Sequence, residues 1–420
     1  MFTTALILFG LSFLFIITEK VHRTVAALTG AALMVLLGVI SQDRALEGVD
    51  FNTIGLLIGM MVLVGIAKHS GMFQAMALYI VKKARGNPMA VYILLGLLVM
   101  IFSALLDNVT TVLLLVPVIM VITNNLNVSP YPYLVSTILL SNIGGAMTLI
   151  GDPPNILIGS AAHLSFNDFL IHLLPVCVII AVVTIFGLVL VYKKDFVTTK
   201  EARASVLKFS PREAITDMPL LKHSLIAIGV VIVGFLTHDL TGLDGATIAL
   251  SGAALLLVLS LRDPEDHLKD VEWPTIFFFV GLFILVTGIE EVGIIDGIAH
   301  YILQKIGSDG FMLAQVILWG SAFMSAIVDN IPFVTAMIPL ITEINAAGNM
   351  PENVLWWSLA LGADIGGNAT LVGASANVIV AGLAKKENQH MSFLGYMKVA
   401  LPFTMVALVI SSIYIAIRYF

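Results

Sequence analysis

Two long segments of this sequence align with each other without a gap. Residues 49–155 match residues 271–377 at a constant offset of 222 positions, the difference between 271 and 49. The coinciding positions are mainly polar residues and glycines within apolar sequence: Asp107-Asn108 with Asp329-Asn330, Gly144-Gly145 with Gly366-Gly367, Thr148 with Thr370, Gly151 with Gly373, and Asn155 with Asn377. Repeats of this kind are typical of membrane transporters, whose substrate site lies where the repeats meet.

The composition indicates a protein that folds in a lipid bilayer. Hydrophobic residues make up 59% of the chain and charged residues 11%, whereas soluble domains carry about 25% charged residues. No basic patch or nucleic-acid motif is present, so we expect no nucleic-acid partner. Cys177 is the single cysteine and can form neither an intrachain disulfide nor a metal cage. We expect no metal and no cofactor, and we find no pattern of catalytic residues that indicates an enzyme.

The apolar segments predict an all-α polytopic membrane protein. A helix needs about 20 apolar residues to cross the hydrocarbon core. Two long apolar segments, 133–162 and 355–384, are interrupted by glycine clusters, so we expect a broken helix in each. The uninterrupted candidate spans are 3–19, 22–41, 51–69, 171–192, 223–238, 244–261, 273–290 and 398–418. Together these segments predict ten crossings.

The basic loop 193–222 predicts the orientation and the domain organisation. It is rich in lysine and arginine, so the positive-inside rule places it in the cytoplasm. Five crossings then separate Val49 from Val271, and because five is odd the two repeats are predicted to be inverted. The predicted parts are N-terminal scaffold helices 1–48, repeat 1 at 49–192, the loop, scaffold helices 223–270 and repeat 2 at 271–420.

Each repeat also contains a segment that is too long for one span. Residues 88–122 and 309–344 must each return to the side they left, so we predict two re-entrant hairpins with Asp107-Asn108 and Asp329-Asn330 near their tips. Non-helical backbone at membrane depth survives only beside protein or a water-filled cavity. The tips and the broken helices are therefore predicted to form one site, where helix ends offer free amides and carbonyls.

The side chains at the tips and breaks favour a solute or cation exchanged for protons over an anion. No arginine, lysine or histidine falls within them, so a dicarboxylate or phosphate would lack a strong counter-charge. Carboxylates at bilayer depth commonly mark a proton or ion path. We predict proton coupling by Asp107, Asp152, Asp329 and Asp364, and substrate binding by Asn108, Thr110, Thr148, Asn155, Asn330, Asn368, Thr370 and Asn377.

Each of these features also has a purely structural interpretation. The aspartates at the tips would cap the helices that follow them. The glycine pairs 144–145 and 366–367 would allow close helix packing. Asp152, which precedes two prolines, would belong to a turn.

Two motifs resemble those of the ion transporter superfamily. They are Asp107-Asn-Val-Thr-Thr111 and Gly144-Gly-Ala-Met-Thr-Leu-Ile-Gly-Asp-Pro-Pro-Asn155. The branch that they resemble holds arsenite permeases, bacterial sodium/proton antiporters and the melanosomal P protein, and the Gly-Asp-Pro-Pro-Asn run is most similar to arsenite permease-like members. The resemblance implies inverted repeats with re-entrant hairpins, a homodimer in many members, and for some arsenite permeases a separate soluble ATPase.

From the residues and the resemblance together, we predict arsenite or antimonite efflux in exchange for protons, in the inner membrane of a bacterial or archaeal cell. The alternatives are a sodium/proton antiporter that uses the same aspartates as cation ligands, and a chloride or carboxylate permease that uses the helix-end amides. A membrane anchor for a soluble ATPase is a further alternative, but an anchor has no need of two matched broken helices.

Overall fold

The structure, a computed structural model, describes residues 1–18, 20–260, 263–306, 309–347, 350–351 and 353–420. These residues form helices and no strand. Seven of the described helices have 18 residues or more and are apolar enough to cross a membrane. Four further apolar helices of 10–17 residues accompany them. The chain is therefore an all-α, multi-pass membrane protein, as the apolar segments predict.

The first half of the chain, up to the end of the basic loop, forms twelve helices in the described residues. They are α1 (Phe2–Thr18), α2 (Arg23–Leu36), α3 (Gln42–Glu47), α4 (Phe51–Lys68), α5 (Met72–Lys83), α6 (Pro88–Leu105), α7 (Asn108–Leu126), α8 (Tyr131–Gly145), α9 (Pro153–Ala162), α10 (Phe166–His172), α11 (Leu174–Tyr192) and α12 (Lys200–Leu207).

The second half repeats this order. Its helices are α13 (Met218–Leu236), α14 (His238–Thr241), α15 (Gly245–Ser260), α16 (Pro264–Leu268), α17 (Trp273–Glu291), α18 (Ile294–Ile306), α19 (Gly310–Ser325), α20 (Asn330–Ala347), α21 (Val354–Gly366), a short 3-10 turn (Gly367–Ala369), α22 (Ser375–Lys386) and α23 (Phe393–Tyr419).

The predicted spans match these helices, with differences at their ends. Predicted span 22–41 is a helix only as far as Leu36. The basic loop is shorter than its predicted range 193–222, because α13 already begins at Met218, where the Asp217 carboxylate accepts a hydrogen bond from the Leu220 amide. Helix α12 also lies within it. Residues 19 and 261, the last residues of two predicted spans, lie outside the described residues.

The repeat is visible in how the scaffold helices pack. Helix α2 packs on α17, and α15 packs on α4, so each half supplies a helix to the other. A Cβ on Gly59 would lie 2.6 Å from the backbone of Ala249, and one on Gly281 would lie 2.7 Å from the backbone of Ala27. Gly59 and Gly281 are related by the 222-residue offset, and so are Ala27 and Ala249. The two helix crossings are therefore equivalent.

Helices α4 and α17 are related by the 222-residue offset, and we call such positions repeat mates. Contacts between the ends of these two helices show that they run in opposite directions. Lys68 and His69, at the end of α4, bind Asp270 before α17 at 2.6 and 2.8 Å. Arg44, before α4, binds Glu291 at the end of α17 at 3.2 Å. Burial alone would raise the pKa of the Asp270 carboxyl, but its bonds to Lys68 and His69 prevail and lower it. An inverted repeat requires this antiparallel arrangement.

Candidate functional site

The two Asp-Asn dipeptides lie at breaks between consecutive helices. Helix α6 ends at Leu105 and α7 begins at Asn108, while α19 ends at Ser325 and α20 begins at Asn330. The Asp107 carboxylate accepts a hydrogen bond from the Thr110 amide at 2.7 Å. The Asp329 carboxylate accepts one from the Ile331 amide at 3.1 Å. Both aspartates thus cap the helix that follows, as their structural interpretation predicts, and the neighbouring Asn108 and Asn330 are buried.

Hydroxyl groups attach each tip to the neighbouring broken helix. The Thr148 hydroxyl donates to the carbonyl of Ala104 at 2.5 Å, and the Thr370 hydroxyl donates to the carbonyl of Ala326 at 2.7 Å. Ser103 and Ser325 make a second pair of such bonds, to the carbonyls of Ser141 and Ala363 at 2.5 and 2.6 Å. Thr148 and Thr370, predicted to bind substrate, therefore use their hydroxyl protons to brace the fold in this conformation.

The glycine pairs let the broken helices pack without side chains between them. Gly144 lies against the backbone of Met100, and Gly366 lies against that of the repeat mate, Ala322. Gly145 and Gly151 also approach each other so closely that a Cβ on Gly145 would lie 2.8 Å from the Gly151 carbonyl oxygen. The close-packing interpretation of these glycines is therefore confirmed.

Two asparagines hold the broken helices in shape. The Asn155 amide group donates to the carbonyls of Gly145 and Thr148 at 3.2 and 3.0 Å. Asn377 donates in the same way to Gly367 and Thr370 at 2.8 and 2.9 Å. These bonds satisfy carbonyls that the break leaves without a helical partner.

At the centre, side chains from both halves meet around Asp152. This buried carboxylate accepts a hydrogen bond from the Asn108 side-chain amide and two longer ones, at 3.5 Å, from Asn330. The Asn142 amide group donates across the interface to Asn368 and Asn377, both at 2.9 Å. Asp364, which interacts electrostatically with Asp152, is also fully buried. The two tips and two breaks thus form one central cluster.

Several acceptor atoms of this central cluster have no hydrogen-bond partner in the described residues. They are the side-chain oxygen of Asn108, that of Asn155 and both carboxylate oxygens of Asp364. A buried acceptor without a donor carries a desolvation cost of about 1–3 kcal/mol. These atoms therefore require a donor or a cation.

A basic side chain from α2 reaches the second tip. Arg23 donates a hydrogen bond to the Ser375 hydroxyl at 2.8 Å and lies 3.5 Å from the Asp329 carboxylate. The Ser375 hydroxyl in turn donates to Asp329 at 2.5 Å. No basic residue falls within the tips and breaks themselves, but α2 brings Arg23 beside Asp329 from a distant part of the chain.

Arg23 also borders a small cavity between the scaffold and the first tip. The cavity measures about 40 Å³ and has both charged and apolar walls. Its polar lining residues are Arg23, Asp107, Thr110, Glu272, Thr275 and Ser375. Among the predicted site residues, Asp107 and Thr110 thus face this cavity instead of the central cluster.

The structure brings most of the predicted site residues together and adds two that the sequence analysis missed. Asn142 is the repeat mate of Asp364, so the repeat alignment itself contained a signal for it. No such signal exists for Arg23, whose repeat mate is Gly245. No group of three or more histidine, cysteine or acidic side chains suited to a metal ion occurs within the described ranges. The members of the central cluster are Asn108, Asn142, Asp152, Asn155, Asn330, Asp364, Asn368 and Asn377.

A family model described as a citrate transporter, CitMHS, matches residues 13–362. The chain belongs to this citrate transporter family. It is 40% identical to an uncharacterized transporter of Mycobacterium tuberculosis over 99% of this chain and 98% of that protein. It is also 31% identical to the P protein of Sus scrofa, over 99% of this chain and 59% of that protein.

The fold has a solved counterpart as well. The crystal structure of the Alcanivorax borkumensis YdaH transporter aligns with a TM-score of 0.59 at 15% identity, covering 94% of this chain and 96% of that one. Membership of the citrate transporter family and the likeness to the P protein support the predicted superfamily and a secondary transporter. The specific resemblance to arsenite permeases stays a prediction.

Proposed function

We propose that this member of the citrate transporter family exports arsenite or antimonite in exchange for protons, in the inner membrane of a bacterial or archaeal cell. The observation that carries the proposal is the set of buried acceptors without donors at Asn108, Asn155 and Asp364. Arsenous acid is uncharged at neutral pH and presents three hydroxyl donors. Such a solute matches a site in which acceptors are free and donors are already used.

The charge of the central cluster supports the same substrate class. Asp152 and Asp364 are both buried, and neither forms an ion pair within the described part of the chain. A multiply charged anion placed beside two such carboxylates would be repelled at low effective dielectric. Protons and hydroxyl-bearing neutral solutes relieve the cost of the buried carboxylates instead.

A carboxylate is the second candidate substrate. Arg23 supplies a positive charge beside the small cavity, and the matching family is described as a citrate transporter. An arginine presents several donors that suit a carboxylate group. However, Asp107 and Glu272 line the same cavity, so a citrate ion would bind there only together with cations or protons.

Flux into liposomes tests the proposal. The purified protein is reconstituted with an imposed pH gradient, and uptake of radiolabelled arsenite is measured with sodium and citrate as parallel solutes. We expect arsenite accumulation that collapses when the gradient is dissipated. Asn108→Ala should lose it, because it removes a free acceptor and the donor to Asp152. Asn124→Ala, on the exposed side of the same helix, is the matched control and should behave as wild type.

Two other results would replace the proposal. Sodium-dependent dissipation of the gradient without arsenite flux would establish a sodium/proton antiporter. Citrate uptake without arsenite flux would establish a carboxylate transporter.

A further inference from the structure

The two halves differ chemically at one pair of repeat mates in the central cluster. In the first half the position is Asn142, whose amide group donates to the side-chain oxygens of Asn377 and Asn368, both at 2.9 Å. In the second half the mate is Asp364. A carboxylate has the same shape as this amide but, when ionised, has no hydrogen to donate.

Because Asn142 bonds to Asn377, the corresponding neighbour of Asp364 is the repeat mate of Asn377. That neighbour is Asn155, whose side chain lies beside the Asp364 carboxyl. Its orientation is fixed, because its amide group donates to two backbone carbonyls at 3.2 and 3.0 Å. A flipped amide would place its oxygen against both carbonyls. The Asn155 side-chain oxygen therefore remains an acceptor.

By the repeat relation, two acceptors are thus expected where the other half has a donor and an acceptor. The Asn155 oxygen and both Asp364 oxygens have no hydrogen-bond partner in the described residues, and both residues are 0% exposed. Burying such groups without a hydrogen bond is costly, and more so for an ionised carboxylate. One hydrogen atom between them supplies the Asn155 oxygen with a donor and removes the charge of the carboxylate.

We propose that Asp364 is the residue that binds and releases the transported proton, with Asn155 as its hydrogen-bond acceptor. In the protonated state the Asp364 hydroxyl donates to the Asn155 oxygen and reproduces the bond that Asn142 makes to Asn377. The proposal rests on the proposed exchange of solute for protons, in which the proton and the solute hydroxyls use the Asn155 and Asp364 oxygens in turn. It assigns the proton to one of four candidate carboxylates.

The other three carboxylates are already supplied with donors. Asp152 accepts hydrogen bonds from Asn108 and Asn330. Asp107 and Asp329 accept backbone amides, and Asp329 also lies near Arg23. Each of these hydrogen bonds offsets part of the cost of burying an ionised carboxylate.

The surroundings of Asp364 contain few groups that titrate. Cys177 of α11 and Asp152 interact with it electrostatically. Of the helices packed on α21, α20 brings Asp329, which has its own partners, and α23 brings Tyr396, whose hydroxyl donates to the Asn368 carbonyl. No ion pair to Asp364 is found among the described residues. The described residues therefore offer no fixed positive charge to neutralise it, and a proton bound at the carboxyl supplies one.

When the proton leaves, a hydrogen-bond donor is available for the ionised Asp364 carboxylate. Asn330 lies beside Asp364, and its present bonds to Asp152 are long, at 3.5 Å. In the first half the mate of this pair is Asn108 donating to Asn142 at 3.2 Å. Asn330 is thus placed to turn from Asp152 to Asp364 when the latter ionises.

Infrared spectroscopy with pH titration tests the assignment without relying on any substrate. The purified protein should show the carbonyl stretch of a protonated, buried carboxyl group, and this band should disappear as the pH rises. Asp364→Asn should abolish the band, and Asp152→Asn should retain it. A band that survives in Asp364→Asn, or a wild-type protein without the band at any pH at which it stays folded, would overturn the proposal.

Transport by the same variants provides the functional readout. Asp364→Asn has no titratable group at this position. It should lose proton movement, which is followed with a pH-sensitive dye. Retained proton movement in this variant would contradict the proposal.

A double variant in which the two residues are swapped keeps the test decisive if Asp364→Asn does not fold. The double change Asp364→Asn/Asn142→Asp retains one amide and one carboxyl at the two mate positions. Its carboxyl lies in the environment of Asn368 and Asn377 instead of that of Asn155, so the infrared band should change in frequency and in the pH at which it disappears. A band identical to that of the wild type would show that another carboxyl produces it, and the assignment to Asp364 would be wrong.

The two proposals fail in different ways. A wild-type protein that shows the titrating band and loses it in Asp364→Asn, yet moves no arsenite, retains the proton site and excludes the substrate. A protein that moves arsenite against a pH gradient, with an unchanged band in Asp364→Asn, retains the exchange and excludes this residue as the proton carrier.

Discussion

At the scale of single residues, asparagine holds the central cluster together because its amide both donates and accepts. Asn142 links the two halves through Asn368 and Asn377, and Asn108 joins the first tip to Asp152. Replacing one such amide by a carboxylate, as at Asp364, removes the donor and leaves the geometry unchanged. The Asn142 amide can therefore always donate its hydrogen bonds, whereas Asp364 can donate one only when it is protonated.

Arg23 distinguishes the two candidate substrates. Arg23→Gln removes the charge beside the small cavity and the pairing with Asp329, whose partners Ser375 and the Ile331 amide remain. For arsenite we expect the KM to change by less than about threefold, since a neutral solute makes no charge pair. For a carboxylate the KM should rise about 10–100-fold, because a hydrogen bond to a charged group contributes about 1.5–3 kcal/mol.

The control for this measurement is Lys20→Gln, which removes an exposed positive charge near the start of the same helix. It should leave the KM for either solute unchanged. An arsenite KM that rises tenfold or more in Arg23→Gln, roughly 1.4 kcal/mol, would contradict a site built for a neutral solute.

The sequence predicts the residue types of the site better than their roles. Asp107 and Asp329 stand at the tips as expected, but their carboxylates serve the helix ends. The bonds of Arg23 to Ser375 and Asp329 could not be predicted, because they join residues more than 300 positions apart and have no repeat mate. Long-range side-chain contacts depend on packing, which a periodic pattern does not encode.

At the scale of helices, each half packs a scaffold helix against the other half at a helix crossing lined by small residues. Gly59 packs against Ala249 of α15, and Gly281 packs against Ala27 of α2. With little hydrophobic drive between helices in lipid, close backbone approach is what stabilises such crossings. The sequence predicts these helices from their apolar length, but it does not predict their partners, since α2 pairs with a helix of the other repeat.

Gly281→Ala should lower the free energy of unfolding, because it introduces a clash in the folded state. Its new methyl group would lie 2.7 Å from the Ala27 backbone, which cannot move as a side chain can. Overpacking of this kind costs about 1–3 kcal/mol, and the better helix propensity of alanine offsets at most about 1 kcal/mol. Thermal denaturation in detergent should show a lower Tm.

Gly59→Ala, the repeat mate, should lower the Tm to a similar degree. Gly10→Ala is the matched control, because a Cβ there would meet no atom within 4 Å, and it should leave the Tm unchanged or raised. Equal Tm values for all three variants would show that the two crossings are not tightly packed.

At the scale of the whole molecule, the sequence repeat and the antiparallel α4 and α17 point to one architecture. The end contacts of these mates, Lys68 with Asp270 and Arg44 with Glu291, follow if one half is turned over relative to the other. Inverted halves that share an architecture can exchange conformations, which is a general route to alternating access. In the proposed exchange of solute for protons, the chemical differences at Asn142/Asp364 and Asp152/Ala374 are where coupling would arise.

Single cysteines at repeat mates test the inversion. In a Cys177→Ala background, which removes the one native cysteine, Asp43→Cys and Glu265→Cys place thiols at exposed mate positions related by the 222-residue offset. If the repeats are inverted, a membrane-impermeant maleimide should label Asp43→Cys in intact cells and Glu265→Cys only after lysis. Lys200→Cys in the basic loop should behave like Glu265→Cys, since both are expected in the cytoplasm. Labelling of both mates from the same side would mean that the halves run parallel, and the tips could not then enter the membrane from opposite faces.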